Sequence, residues 1–220
     1  SHVNLRQSHV NLPQFHVNGW GMVYAVTSMG GTHVILRKVD GAEILSRINR
    51  HGVTMLCGAP AVANMILDAA SESNVSTRRD EVRMVVAGAP PPTKTIERIE
   101  TELGWEFVQI YGLTETSPLL TMNRSRQEWK VLSSAERAAK LAAAGSPALG
   151  VEVEIDAHGE VLARGNTVMS GYWNQPEETG KAIVDGWFHT GDGGYLGENH
   201  YLTIADRKKD VIVSGGENVS

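Results

Sequence analysis

Between Thr32 and Ile110 the chain alternates short apolar, β-branched runs with longer stretches of helical period. His33-Val34-Ile35-Leu36 comes first, followed by an amphipathic stretch from Gly41 to His51 whose Ile44, Leu45 and Ile48 fall on one face. A run at Val53 to Leu56 leads into an Ala/Met/Leu-rich helical stretch from Ala59 to Ala70. Met84-Val85-Val86-Ala87, a helical period from Thr93 to Leu103 and the run Phe107-Val108-Gln109-Ile110 complete the series. Strand and helix in regular alternation predict an α/β fold, a parallel sheet with flanking helices.

The stretch from Arg126 to Ala144, with Leu132, Ala135, Ala139 and Ala142 at helical spacing, predicts a surface helix started by Ser133 or Ser134. Beyond Gly145 the period drops to two. Val151-Glu152-Val153-Glu154-Ile155 alternates strictly, Asp156 to Gly159 offers a turn and Val161-Leu162-Ala163 follows, which reads as a hairpin. Glycine-punctuated short strands continue to Val213. The predicted organisation is an α/β subdomain over 15–145 and an antiparallel β-rich, barrel-like subdomain over 146–208. Residues 1–14 hold the near copies SHVNLRQ and SHVNLPQ, too poor in apolar residues for a coiled-coil seam. They read as a truncation or an assembly artefact, and the Gly-rich end at Ser220 reads as cut.

Composition narrows the classes. With 41% hydrophobic and 20% charged residues the chain is ordinary globular protein, and its net charge of −5 offers no cationic excess for nucleic acid. The single cysteine, Cys57, sits in the apolar run Val-Thr-Met-Leu-Cys-Gly, where a buried structural thiol is expected rather than a nucleophile. No pairable cysteines, no signal-peptide pattern and no apolar run of spanning length predict a cytoplasmic protein without a transmembrane segment.

Three segments carry candidate chemistry. Gln109-Ile110-Tyr111-Gly112-Leu113-Thr114-Glu115-Thr116 follows an apolar strand at the carboxyl edge of the sheet, where open α/β sheets bind ligands. There an aromatic ring can stack on a base, a glycine permits a sharp turn, a Thr hydroxyl can meet a phosphate oxygen and a Glu can offer a hard oxygen to Mg²⁺. A plain strand-end turn is the alternative. Gly186-Trp187-Phe188-His189-Thr190-Gly191-Asp192-Gly193-Gly194 sets one carboxylate among glycines, able to accept both hydroxyls of a ribose; the alternative is a glycine-rich hairpin with Asp192 as a turn residue. The third segment, Asp206-Arg207-Lys208-Lys209-Asp210 and the following Val211 to Asn218, is by itself a charged, solvated face before a strand.

In this order and spacing the three segments resemble the acyl-adenylate-forming, or AMP-binding, superfamily: acyl-CoA synthetases, peptide-synthetase adenylation domains and beetle luciferases. The resemblance extends to Phe15-His16-Val17-Asn18-Gly19-Trp20, Gly88-Ala89-Pro90 and Val168-Met169-Ser170-Gly171-Tyr172-Trp173 with Asn174 and Pro176. It covers nearly the whole chain from Pro13 and is closest to AMP-forming acyl-CoA synthetases, or fatty-acid–CoA ligases. What it implies is the second half of a large N-terminal domain. By the same likeness Tyr111 stacks on adenine with Gln109 and Gly112 in its segment, and Gly88, Ala89 and Pro90 line the adenine slot. Thr114 contacts the α-phosphate, Glu115 binds Mg²⁺, Asp192 and Arg207 hold the ribose hydroxyls, and His16 lies near the reacting carboxylate. Lys209 falls at the family's hinge, so 209–220 reads as the hinge and start of a small C-terminal domain.

The implied reaction activates a carboxylic acid with ATP as acyl-AMP and passes it to CoA. A carboxylate is a poor electrophile, so the work is positioning and charge neutralisation. The family's Lys-containing phosphate loop and its distal small-domain lysine have no counterpart within the 220 residues, so this polypeptide alone is expected to adenylate poorly. Apolar residues around Gly19, Gly21 and Ser117 to Leu120, with no acid for an amino group, suit a fatty or aryl acid. Two rivals are a non-catalytic adenine-nucleotide-binding domain and an adenylation domain of another branch. A dinucleotide oxidoreductase fits badly, because Val86-Ala87-Gly88-Ala89-Pro90-Pro91-Pro92 puts prolines where amides should face pyrophosphate.

Overall fold

The computed structural model describes residues 8–10, 17–72, 81–89, 91–207, 212–214 and 217–219. The chain divides into two compact units that interleave along the sequence, 1–108 with 124–142 and 109–123 with 143–220.

In the first unit the strands are β1 (Ser8–Val10), β2 (Thr32–Val34), β3 (Met55–Gly58), β4 (Arg83–Val86) and the start of β5 (Glu106–Gly112), in the order β2-β1-β3-β4-β5. β1 runs parallel to β2 and β3, and β3 to β4. Helices α1 (Val17–Ser28), α2 (Gly41–His51), α3 (Pro60–Glu72) and α4 (Thr93–Arg98) alternate with them; α2, α3 and α4 fall where the period predicted, while β1 and α1 lie ahead of the stretch it covered. The carboxylate of Asp40 caps α2 by accepting the Glu43 N–H at 2.8 Å, and Gly52 at φ 61° ends it. Its Ile44, Leu45 and Ile48 are buried with Ile66 and Leu67 of α3 and Met84 and Val86 of β4. Each such side chain contributes about 1.5–3 kcal/mol on leaving water.

Two stretches differ from the sequence reading. The period from Thr93 to Leu103 is α-helical to Arg98 and then widens into a π-helical turn, Ile99–Leu103, which keeps Ile96, Ile99 and Leu103 in the core. Arg126 to Ala144 is not one helix. A 3₁₀ turn, Gln127–Val131, ends at the extended Leu132 (φ −80°, ψ 155°), and α5 (Ser134–Leu141) starts afresh. The cause is a capping box: Glu136 accepts the Ser133 N–H at 2.8 Å, and the Ser133 hydroxyl accepts the Glu136 N–H at 3.3 Å.

In the second unit the rest of β5 is followed by β6 (Leu119–Arg124) and β7 (Ser146–Pro147), which pair antiparallel. A second sheet holds β8 (Val151–Ile155), β9 (Glu160–Gly165), β10 (Ile183–Val184) and β11 (Trp187–Leu196) in the order β10-β11-β9-β8, with β12 (Leu202–Arg207) also paired to β11. The pairings β8–β9, β9–β11, β10–β11 and β11–β12 are all antiparallel. The strict alternation of β8 is met: Val151 and Val153 are buried, Glu152 and Glu154 exposed. Helix α6 (Pro176–Ala182) precedes β10, and β13 (Ile212–Ser214) pairs antiparallel with β14 (Glu217–Val219). Leu120, Val161, Ala163, Phe188 and Leu202 form the centre of this core, with Tyr111 and Leu113 packed against it. No helix among the described residues is long and apolar enough to cross a membrane.

Candidate functional site

The candidate chemistry converges where β5 ends in the second unit. Tyr111 and Gly112 close the strand, and a 3₁₀ turn, Thr114–Thr116, follows. The buried Thr116 hydroxyl accepts the Leu113 N–H at 2.9 Å and donates to the Pro118 carbonyl at 2.6 Å, locking the turn. Gly112 is required by space: a Cβ there would collide with the Pro118 carbonyl oxygen. With Thr116 turned inward, Thr114 is exposed and Glu115 half-buried.

The Tyr111 hydroxyl donates to Oδ2 of Asp192 at 2.8 Å. Asp192 is 4% exposed and lies inside β11, so it is not a hairpin turn residue as the alternative supposed. Its own N–H donates to the Thr190 hydroxyl at 3.1 Å, which donates to the Val161 carbonyl at 2.7 Å. Next to it, the Gly191 N–H donates to Oε1 of Glu160 at 2.8 Å, while Oε2 of Glu160 lies 3.3 Å from Nδ1 of His189. Across the ladder Arg207 stands in register with Asp192, just before the register shifts between Gly193 and Gly194. Gly194 serves close approach within the strand, since a Cβ there would meet the Thr203 carbonyl oxygen at 2.7 Å, whereas Gly191 faces open space and takes the left-handed φ of 75°.

Glu115 is held from the other side. Its carbonyl accepts the Met169 N–H at 2.7 Å, and its Oε1 accepts the Tyr172 hydroxyl at 3.0 Å. Burial, and then the neighbouring Glu115 charge, pushes the Tyr172 phenol above its ordinary pKa. Neither Oε2 of Glu115 nor the Thr114 hydroxyl takes a hydrogen bond among the described residues.

Tyr111, Asp192 and Arg207 are thus brought together, the first two by contact and the third by register, and Thr114 and Glu115 project from the turn after Tyr111. Gln109 is buried inside β5, and its Oε1 has no hydrogen-bond partner among the described residues. Gly88 (φ 96°) and Ala89 form a bend after β4 in the first unit. His16, Pro90 and Lys209 lie outside the described residues. The sequence assigned no role to Thr190, which accepts the Asp192 N–H, to Glu160, which accepts the neighbouring Gly191 N–H, or to Tyr172. The signal for Thr190 was its place two residues before the acid; nothing local marked Glu160.

These groups suit a magnesium nucleotide. Mg²⁺ keeps several waters and takes one or two carboxylates together with substrate phosphates. Among the described residues no three acids, histidines or cysteines cluster into a metal cage, and Glu115 offers one open carboxylate oxygen. A buried carboxylate beside an aromatic ring suits a hydroxyl-bearing partner that also presents a flat face.

The profile of the AMP-binding enzyme family matches residues 6–173. The chain belongs to that family. Among AMP-binding relatives, the 2-methylpropanoate–CoA ligase CCL4 of Humulus lupulus is 42% identical over 92% of this chain and 38% of that enzyme. The probable acyl-activating enzyme 5, peroxisomal, of Arabidopsis thaliana is 40% identical over 92% of this chain and 39% of that protein. The second name places that protein in the peroxisome, so the cytoplasmic expectation gains no support from it. Among solved structures, the o-succinylbenzoate coenzyme A synthetase MenE of Bacillus subtilis in complex with ATP and magnesium ion superposes with a TM-score of 0.80 at 27% identity. That likeness covers 99% of this chain and 45% of MenE, so the chain spans less than half the length of each of these three proteins. The expected family and α/β fold class both hold, with one sheet containing parallel strands and, among the described residues, two antiparallel ones.

Proposed function

We propose that this chain is the nucleotide-handling part of an AMP-forming acyl-CoA synthetase, which activates a fatty or aryl carboxylic acid as acyl-AMP and transfers it to CoA. The observation that carries the reading is the contact of Tyr111 with Asp192, in register with Arg207. In this reading the Tyr111 ring stacks on adenine while Asp192 and Arg207 take the ribose hydroxyls. Because the Tyr111 hydroxyl is tied to Asp192, ring and acid keep a set spacing before nucleotide arrives, which lowers the ordering cost of binding.

Gly112 lets the end of β5 pass close against the Pro118 carbonyl beneath the nucleotide, and the Thr114 hydroxyl meets the α-phosphate. Glu115 supplies one carboxylate oxygen to Mg²⁺; the ion, when bound, offsets negative charge on the phosphates. Holding the acid's oxygen in line with the α-phosphorus is then a matter of positioning. The name of the Humulus relative, a ligase for a small branched acid, supports an apolar acyl group.

Calorimetric titration tests the reading. The chain is expected to bind AMP at sub-millimolar concentration, to bind an acyl-sulfamoyl adenosine with an apolar acyl group more tightly, and to ignore GMP. Absence of AMP binding, or equal affinity for GMP, would remove it.

A further inference from the structure

The hydrogen bond from Tyr172 to Glu115 joins residues 57 apart, and Tyr172 belongs to none of the segments assigned to nucleotide above. A second bond joins the same two segments, from the Met169 N–H to the Glu115 carbonyl at 2.7 Å. Peptide and carboxylate of Glu115 are therefore both tied to one loop. That loop is itself braced: the Tyr172 N–H donates to the Thr179 hydroxyl at 2.9 Å, which donates to the Gln175 carbonyl at 2.8 Å. At Gly171 (φ 152°) a Cβ would meet Cγ2 of Thr179 at 2.7 Å, so loop and helix α6 sit in close contact there. A half-buried glutamate on a 3₁₀ turn with no such restraint samples several rotamers, and a metal ligand that must be ordered on binding binds more weakly.

We propose that Tyr172 is a positioning residue for Glu115: its hydroxyl occupies Oε1 and restrains the carboxylate, leaving Oε2 for the divalent cation that accompanies the nucleotide. The proposal rests on the nucleotide reading above and adds to it a device for metal binding. Removing a partner that orients a metal ligand typically weakens metal binding by about 10- to 100-fold. A brace of purely structural value would instead weaken all ligands together.

The test is a calorimetric titration of the 220-residue chain and its Tyr172→Phe variant, with AMP in the absence of metal and with ATP over a series of Mg²⁺ concentrations. Tyr172→Phe is expected to bind metal-free AMP within about twofold of the parent, while the Mg²⁺ concentration for half-maximal ATP binding rises about tenfold or more. A Thr179→Val variant, which keeps the phenol but loosens its loop, is expected to shift the Mg²⁺ requirement the same way by a smaller factor, and it serves should Tyr172→Phe fold poorly. Unchanged Mg²⁺ dependence in these variants, or equal loss of AMP and ATP binding, overturns the proposal. A parent chain that binds no AMP overturns the nucleotide reading itself, an outcome distinct from either.

Discussion

The hydroxyl of Tyr111 and Oδ2 of Asp192 lie 2.8 Å apart, joining positions separated by 81 residues at the end of one strand and the middle of another. Asp192 is buried, and removing a donor from a buried acceptor costs about 1–3 kcal/mol. Tyr111→Phe keeps the ring, so urea denaturation is expected to read a loss of that size. AMP binding should persist at reduced affinity, because stacking survives while the fixed spacing does not.

Gly112→Ala should do more damage. The new methyl would meet the Pro118 carbonyl, which is held by Thr116, so the turn carrying Thr114 and Glu115 must move. A loss of at least about 2 kcal/mol is expected in urea denaturation, with nucleotide affinity falling in parallel. A variant as stable as the parent would contradict the packing of this turn.

Cys57 is 4% exposed, and burial pushes its thiol up to about 12. At pH 8 a disulfide reagent should therefore leave the native chain unlabelled and modify one thiol per chain after unfolding in guanidinium. Rapid labelling of the folded chain would place Cys57 outside the core.

How much of this was legible in sequence depended on the range of the interaction. Ile44, Leu45 and Ile48 declared a helix face because helical period is local, and β8 declared itself by alternation. The start of α5 at Ser133 was legible because Ser133-x-x-Glu136 is a capping signal, while the separate 3₁₀ turn before Leu132 was not set apart from the helical spacing. Asp192 was ambiguous because glycines around an acid mark a turn as readily as a strand that another backbone approaches closely, and the pairing partner Arg207 settles which. The roles of Tyr172 and Glu160 were not legible at all. They act through contacts with Glu115 and with the backbone of Gly191 that no local pattern encodes.

Tyr172 also gives a pH signature. Its folded-state pKa is raised, first by burial and then by Glu115, so the neutral phenol is favoured in the folded chain. The stability this contributes is fully present below the ordinary tyrosine pKa of about 10 and is lost as pH rises through the folded value. Thermal denaturation should show the parent losing stability above pH 10 faster than Tyr172→Phe, with the two profiles parallel at neutral pH. Parallel profiles throughout would contradict the shift.

His200 occupies the left-handed region at φ 57° in the turn between β11 and β12, a conformation that costs a side-chain-bearing residue about 1–2 kcal/mol. His200→Gly removes that strain and restores some freedom to the unfolded chain. A net gain of up to about 1 kcal/mol is expected by urea denaturation.

The central claim is that Asp192 and its neighbours in the second unit grip the sugar of an adenine nucleotide. It is tested most directly by comparing the affinities of AMP and 2′,3′-dideoxy-AMP for the parent chain and for Asp192→Asn. The account predicts that the parent prefers AMP by about tenfold or more, since lost hydrogen bonds to a buried charged group each cost about 1.5–3 kcal/mol, and that Asp192→Asn loses most of that preference. Equal affinity of the parent for both nucleotides would contradict it.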